Sequence, residues 1–277
     1  MSIDQRPTDG GTYVLGHVDT EIQRLILQGR LHNDFTDHAL RRAGLRPGMR
    51  VLDVGCGPGD VSMIAARLVG QAGAVVGVDA AADVIELART RAAEQGLQTI
   101  SFEATPIADI SLDEPFDAVI GRLILMHLPD PVAALRHLAA LVRPGGLIVF
   151  CESDITPVYS VPELPLFAAV KDAFARAFRG AGVDPAFGGK LHTVFRRAGL
   201  GTPRLALGAP LGTADDTEIL AYVVETWRSI LPVAERLGLV PQELADLETL
   251  GQRLQDESAA AQAVVVMPPL ICAWTEI

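Results

Sequence analysis

Cysteine is sparse: three residues, Cys56, Cys151 and Cys272, lie far apart in a chain of 277. They show no metal-ligand spacing, and an odd, scattered set does not read as a disulfide framework. Each is expected to be a small buried residue, with Cys56 also presenting its backbone to a ligand, and no metal site is expected. No apolar run approaches the roughly 18–20 residues needed to cross a bilayer. The N-terminal MSIDQRPTDGG lacks the apolar stretch of a secretion signal. Together these absences lead to the expectation of a cytoplasmic protein with no membrane partner. Positive charge is short as well, since 23 Lys and Arg face 34 Asp and Glu, a net charge of −11. Phosphate neutralisation supplies much of a nucleic-acid binder's affinity, so nucleic acid is not the expected partner. Arg41-Arg42 and Arg196-Arg197 read as solvated helix ends. No internal repeat and no low-complexity tract is visible.

Apolar residues make up 49% of the chain, enough to bury a substantial core. Residues 1–12 read as a loose tail. Thr20-Glu21-Ile22-Gln23 forms a capping-box pattern that opens one helix, and a second is expected over Asp34–Ala43. From residue 50 strands and helices alternate. Val51–Val54 reads as a strand buried on both faces, and Ala74–Val78, Ile100–Phe102, Asp117–Ile120 and Leu147–Phe150 read as further strands. Between them lie a helix carrying Val61, Ile64, Ala65 and Leu68, one from about Asp83 to Gly96, and one from Asp130-Pro131 to Val142. Such alternation argues for a parallel sheet with helices on both faces. Beyond it, Pro162–Ala181 and Asp216–Ala259 read as long helical stretches. Between these fall a helix at Leu191–Ala198 and a strand at Arg204–Leu207, and Leu270–Ile277 closes the chain as a strand. The expected organisation is N-terminal cap helices over 1–49, a ligand-binding core over 50–160, and completion of the sheet with a helical cap over 161–277. The cap is expected over the carboxyl edge of the sheet, where ligands of doubly wound folds bind.

The core's first strand runs into Asp53-Val54-Gly55-Cys56-Gly57-Pro58-Gly59. Glycines there permit positive φ and a close approach of ligand to backbone, although a bland structural turn uses the same residues. A dinucleotide site wants G-x-G-x-x-G and a pyrophosphate at the helix N-terminus. Here the spacing is G-x-G-x-G, and Asp53 and Asp60 flank the loop. Two carboxylates repel a pyrophosphate and favour a cationic, phosphate-free nucleoside such as S-adenosylmethionine. Asp79, ending the second strand, is placed to accept from both ribose hydroxyls; its alternative role is to cap the next helix.

Residues 50–150 resemble the class I S-adenosylmethionine-dependent methyltransferases. VLDVGCGPG matches their glycine motif, VVGVDAA their ribose-binding strand, FDAVIGRLILMHLPDP the fourth strand and its loop, and LVRPGG the turn before the fifth. The resemblance implies a seven-stranded, mainly parallel, Rossmann-like α/β sheet with helical cap insertions, and S-adenosyl-L-methionine as cofactor. It implies that Asp53, Gly55, Cys56, Gly57 and Gly59 form the methionine-end loop and that Asp79 takes the ribose. Ala80 then packs on adenine, and Gly121 and Arg122 line the methionine pocket. Tyr13-Val14-Leu15-Gly16, with Gln28 and Arg30, resembles a branch of small bacterial enzymes that methylate small molecules, which places Tyr13, Gln28 and Arg30 over the cofactor and suggests secondary metabolism. One departure stands out. Many members have an Asp after the third strand for the adenine amino group, whereas this chain reads Phe102-Glu103-Ala104-Thr105-Pro106-Ile107; Thr105 and the backbone around Pro106 and Ile107 are the substitutes.

Methyl transfer from a sulfonium is an in-line displacement that needs alignment, and a base only if the acceptor carries a proton. His127, after the fourth strand, is either that base or a loop-packing histidine. Its ordinary pKa near 6.5 suits proton removal around neutrality. Glu152 and Asp154 are read as solvated loop acids, with substrate orientation as their alternative, and His192 as structural. The Asn/Asp-Pro-Pro-aromatic motif of base- and glutamine-methylating enzymes is absent: that place holds Gly121-Arg122-Leu123-Ile124. The expected partner is a small, partly hydrophobic methyl acceptor taking the methyl on O, N or C. Homo-oligomerisation, a macromolecular acceptor, an NAD(P)-dependent oxidoreductase and a binding domain without activity stay open as alternatives.

Overall fold

The structure, a computed structural model, describes residues 18–111 and 114–277. In chain order the elements are α1 (Val18–Ala43), β1 (Arg50–Val54), α2 (Asp60–Val69), β2 (Ala74–Asp79), α3 (Ala82–Glu94), β3 (Ile100–Ala104) and β4 (Phe116–Arg122). There follow α4 (Pro131–Ala139), β5 (Val142–Ser153), β6 (Tyr159–Val161), α5 (Pro165–Gly180), α6 (Leu191–Ala198), β7 (Arg204–Gly208) and β8 (Leu211–Gly212). The chain ends with α7 (Thr217–Arg236), α8 (Leu247–Ala261), β9 (Val264–Val266) and β10 (Leu270–Glu276).

Seven strands form one sheet in the order β3-β2-β1-β4-β5-β10-β7. β1 to β5 run parallel, and β10 is antiparallel to both β5 and β7. The expected seven-stranded, mainly parallel sheet is therefore present. Alternation along β1 sends Val51 towards α1 and α2, and Leu52 and Val54 towards α4 and α6, so both faces are dry. Strand order reverses between β1 and β4, and the carboxyl ends of these strands open the crevice in which doubly wound sheets bind ligands. α5, α7, α8 and β9 build a separate apolar core around Phe167, Phe178 and Trp227, against which Leu27 and Leu31 of α1 pack.

Several expectations need correction. The N-terminal segment is one helix of 26 residues, not two, and it begins at Val18 ahead of the capping-box pattern. A second helix was expected from Asp34, but apolar residues on either side bind both the sheet layer and the cap, which holds the helix continuous. β5 starts at Val142 and carries Pro144-Gly145-Gly146 within it, where the pairing with β4 shifts register; α4 accordingly stops at Ala139. The mainly helical character expected for Asp216–Ala259 is present, as α7 and α8 joined by residues 237–246. A three-stranded sheet, β6-β9-β8, had no strand pattern long enough to reveal it. Cys151 and Cys272 are not separate buried residues: they face each other across β5 and β10 and are joined by a disulfide, S–S 2.02 Å. Their separation of 121 residues hid a pairing that only strand register creates. Cys56 alone is a free, buried cysteine.

Candidate active site

β1 ends in a loop whose Gly55, Gly57 and Gly59 take φ of 63°, 52° and 86°, values that disfavour a side chain. They do different jobs. A Cβ on Gly57 would meet nothing within 4 Å, so its backbone faces open space. A Cβ on Gly55 would lie 2.6 Å from Ile124, and one on Gly59 would lie 3.0 Å from Phe102. The loop is tied to β2 by Cys56 N donating to Val78 O at 3.0 Å. Asp79, at the end of β2, accepts from Gly57 N at 3.1 Å and Ala81 N at 3.0 Å. Each oxygen keeps a lone pair for a further donor, and Asp79 borders the cavity described below.

Behind the loop, Asp53 is 1% exposed and accepts from Ser62 Oγ of α2 at 2.6 Å. Burial raises its pKa to about 7, against the opposing effect of the Ser62 hydroxyl and of Arg122. Asp60 is gripped by Arg91 at 2.8 Å. The flanking carboxylates therefore do not confront a ligand with two bare charges, and that part of the case against a pyrophosphate falls away. A different one replaces it: the Gly57 amide, which a pyrophosphate would need, already donates to Asp79. Arg122, from the end of β4, donates to Asn33 Oδ1 at 3.0 Å and Thr36 Oγ1 at 2.9 Å of α1; burial lowers its pKa. Burial also pushes the Cys56 thiol up, so it is no nucleophile at neutral pH.

The loop after β4 carries His127, whose pKa burial and then the Arg24 charge lower to about 4. At pH 7 the ring is neutral and can accept a proton, but it is a weaker base than an ordinary histidine. Glu152 holds this loop. It is 0% exposed, and its Oε1 accepts from Ile124 N at 3.1 Å and Leu125 N at 2.8 Å. It is not a solvated acid; burial raises its pKa to about 8. Its Oε2 has no hydrogen-bond partner among the described residues, in keeping with a carboxyl that keeps its proton. Asp154 instead closes a turn, accepting from Thr156 N at 2.9 Å. His192 sits on the exposed side of α6.

All these strand ends open into one cavity of about 920 Å³, a size typical of small-molecule sites. Its inner end is bordered by Gly55, Cys56, Gly57, Asp79, Ala80, Thr105, Pro106, Ile107 and Arg122. Gln28 borders it from α1 and donates to Tyr222 OH of α7 at 3.0 Å, joining the first helix to the cap. The outer end is largely apolar, with Phe167, Val170, Phe174, Phe178, Val158 and Met267, and His127 also lines the cavity. Asp53, Gly59 and Gly121 do not line the cavity but support it from behind, and a Cβ on Gly121 would lie 2.5 Å from Phe150. Arg30 is not brought to the cavity: its side chain is 60% exposed and pairs with Glu218 at 2.7 Å. Tyr13 lies outside the described residues. Sequence reading missed the buried pair Arg24–Glu21 (2.5 Å), to which Ser229 Oγ adds a bond at 2.7 Å, together with Tyr222 and Thr226. These come from α1 and α7, more than 190 positions apart, and no local motif links them. Among the described residues no cluster of His, Cys, Asp or Glu could hold a metal ion.

An open α/β sheet with a glycine loop, a carboxylate at the end of β2 and one cavity across the switch point defines a nucleoside-binding domain with an adjoining apolar chamber. A family model described as a methyltransferase domain matches residues 45–199, more than half the chain. The ubiquinone biosynthesis O-methyltransferase of Xanthomonas campestris pv. campestris is 37% identical over 123 residues, which cover 44% of this chain and 49% of that protein. The chain thus spans about half the length of the curated relatives it matches. A crystal structure of a SAM-dependent methyltransferase from Aquifex aeolicus aligns with a TM-score of 0.52 and 20% identity, over 70% of this chain and 92% of that one. Coclaurine N-methyltransferase bound to N-methylheliamine and SAH aligns with a TM-score of 0.51 and 14% identity, over 87% and 72%. The chain belongs to the methyltransferase-domain family, and its fold is that of the class I S-adenosylmethionine-dependent methyltransferases.

Proposed function

We propose that this chain transfers the methyl group of S-adenosylmethionine to an oxygen, nitrogen or carbon atom of a small, largely apolar organic molecule. The observation that carries the reading is the continuity of the cavity, from the Gly57 backbone and Asp79 at one end to the phenylalanine-lined chamber at the other. The donor supplies an electrophilic methyl group on a cationic sulfur. The Asp79 carboxylate is suited to the ribose hydroxyls, Ala80 and the segment Thr105–Ile107 to the adenine, and the loop Gly55–Gly57 with Arg122 to the methionine end. α1, α5 and α7 position the acceptor and keep water from it. His127, neutral at pH 7, takes up a proton where the acceptor carries one. The similarity to an O-methyltransferase of ubiquinone biosynthesis favours oxygen as the acceptor atom.

An enclosed chamber and a net charge of −11 weigh against a macromolecular acceptor, and no described helix is long and apolar enough to cross a membrane. The test is calorimetry. S-adenosylhomocysteine should bind at micromolar concentration and NAD should not, and the reverse order would overturn the reading. Asp79→Ala should weaken that binding at least about tenfold, the worth of a charge-assisted hydrogen bond; an unchanged affinity would remove the ribose role.

A further inference from the structure

The outer chamber has a second, more open cavity beside it, of about 810 Å³, and Ile155 and Lys171 line both. Lys171 belongs to α5, whose Arg176 and Arg179 line the same outer cavity. Its side chain is 31% exposed, so it stands at the mouth of the apolar chamber, neither buried nor in free solvent. The other cations on the chamber wall are already held. Arg24 is bonded through two nitrogens to Glu21, and Arg122 is bonded to Asn33 and Thr36. Among the described residues Lys171 pairs with Asp172 alone, at 3.5 Å, a carboxylate that is 70% exposed and therefore a weak partner in high dielectric. Arg176 and Arg179 make no ion pair among the described residues. The acids lining this outer cavity are Asp172 and Glu243, two against three cations, while Asp184, which feels the Arg179 charge and bonds Lys190, lies outside the lining. In a chain of net charge −11, a local positive excess at the entrance of an apolar chamber is a specific feature.

We propose that the acceptor is an amphipathic organic anion: its apolar body fills the chamber, and its negative group pairs with Lys171 at the mouth, with Arg176 and Arg179 drawing it in. This rests on the methyltransferase reading above for what happens in the chamber, but the anion site stands on its own geometry. A cation half-shielded by apolar walls attracts an anion more strongly than one in open solvent, and the adjoining phenylalanines reward an apolar tail. Neutral analogues of the same shape would lose the ion pair and keep the burial.

The experiment uses two fluorescent probes of nearly one shape, anilinonaphthalene sulfonate and the uncharged N-phenylnaphthylamine, titrated into the full chain with S-adenosylhomocysteine present. Lys171→Met should weaken the sulfonate about fivefold and leave the neutral probe within twofold, and Lys171→Arg should restore the sulfonate. Equal losses for both probes, no loss for either, or failure of Lys171→Arg to restore binding would overturn the anion site. Calorimetry with S-adenosylhomocysteine separates the two claims. Equal binding by the native chain and Lys171→Met is expected. Absence of binding to both overturns the methyltransferase reading, while the probe ratio still decides the anion site.

Discussion

Glu152 shows how much one side chain can determine at this site. Two backbone amides of the loop that carries His127 end on a single oxygen of a fully buried carboxyl. Removing that acceptor leaves two buried donors unpaired, each at a cost of about 1–3 kcal/mol. Glu152→Ala should therefore lower unfolding free energy by about 2–6 kcal/mol in urea titrations, and Glu152→Gln, which keeps an acceptor, by clearly less. Equal losses would mean that the amides are not what Glu152 holds. His127 is the residue placed by this loop. If it takes a proton from the acceptor, His127→Ala should lower kcat about 10²-fold with KM little changed; unchanged turnover would make it a packing residue. Its ordinary pKa, assumed from sequence, was a poor guide, because the burial and the Arg24 charge of α1 that lower it are invisible in residues 121–130.

At the scale of elements, α1 decides whether the cavity is closed. It crosses α2 so closely that a Cβ on Gly29 would lie 2.7 Å from Asp60 Oδ1, and Asp60 cannot retreat while Arg91 and Asn33 hold it. Gly29→Ala gains about 0.5–1 kcal/mol of helix propensity but meets an overpacking cost of about 1–3 kcal/mol. The expected outcome is net destabilisation with weaker S-adenosylhomocysteine binding by calorimetry, because Gln28 and the Arg122 partners Asn33 and Thr36 are carried on the same helix. Undiminished affinity would show that α1 adjusts without disturbing the site. The separate helix expected from Asp34 failed for the same reason: the chain is continuous there, and Asn33, just before it, bonds Arg122 and Asp60 from within α1. The β5–β10 pair makes a second element-level statement. Denatured without reductant, the chain should titrate one thiol, Cys56, and after reduction three.

For the whole molecule, four buried groups set a pH dependence of stability. Asp53 and Glu152 rise from 3.8 and 4.5 to about 7 and 8, so the folded chain holds protons there that the unfolded chain has released. Stability from these two falls as pH rises through those windows. His32 and His127 drop from 6.5 to about 3 and 4, so below 6.5 the unfolded chain binds the extra protons and stability rises with pH. The opposing pairs nearly cancel between pH 4.5 and 6.5. Above 6.5 only the carboxyls remain, and the ligand-free protein should lose on the order of 2 kcal/mol by pH 8, at about 1.4 kcal/mol per unit per group. Glu152→Gln should remove most of that slope; a flat native profile over pH 6.5–8 would contradict the buried, protonated carboxyl.

The parallel core could be read from the chain because its signals are local. Short apolar strands, glycine turns and Asp79 at a strand end each lie within a few residues of what they specify, and 45–199 is also the span that the family model matches. The chain by itself determined the fold class, the glycine loop and the cofactor type. Tertiary structure alone decided which loop glycines face open space, that Asp53 and Asp60 are shielded, and that Glu152 is a buried support. It also decided that Cys151 meets Cys272 and that Lys171 stands at the mouth of a chamber made by α1, α5 and α7. The physical reason is common to all of these: burial, desolvation and pairing depend on which segments pack together, and partners from different elements, 9 positions apart for Asp53 and Ser62 and 121 for the two cysteines, leave no periodic mark on one another.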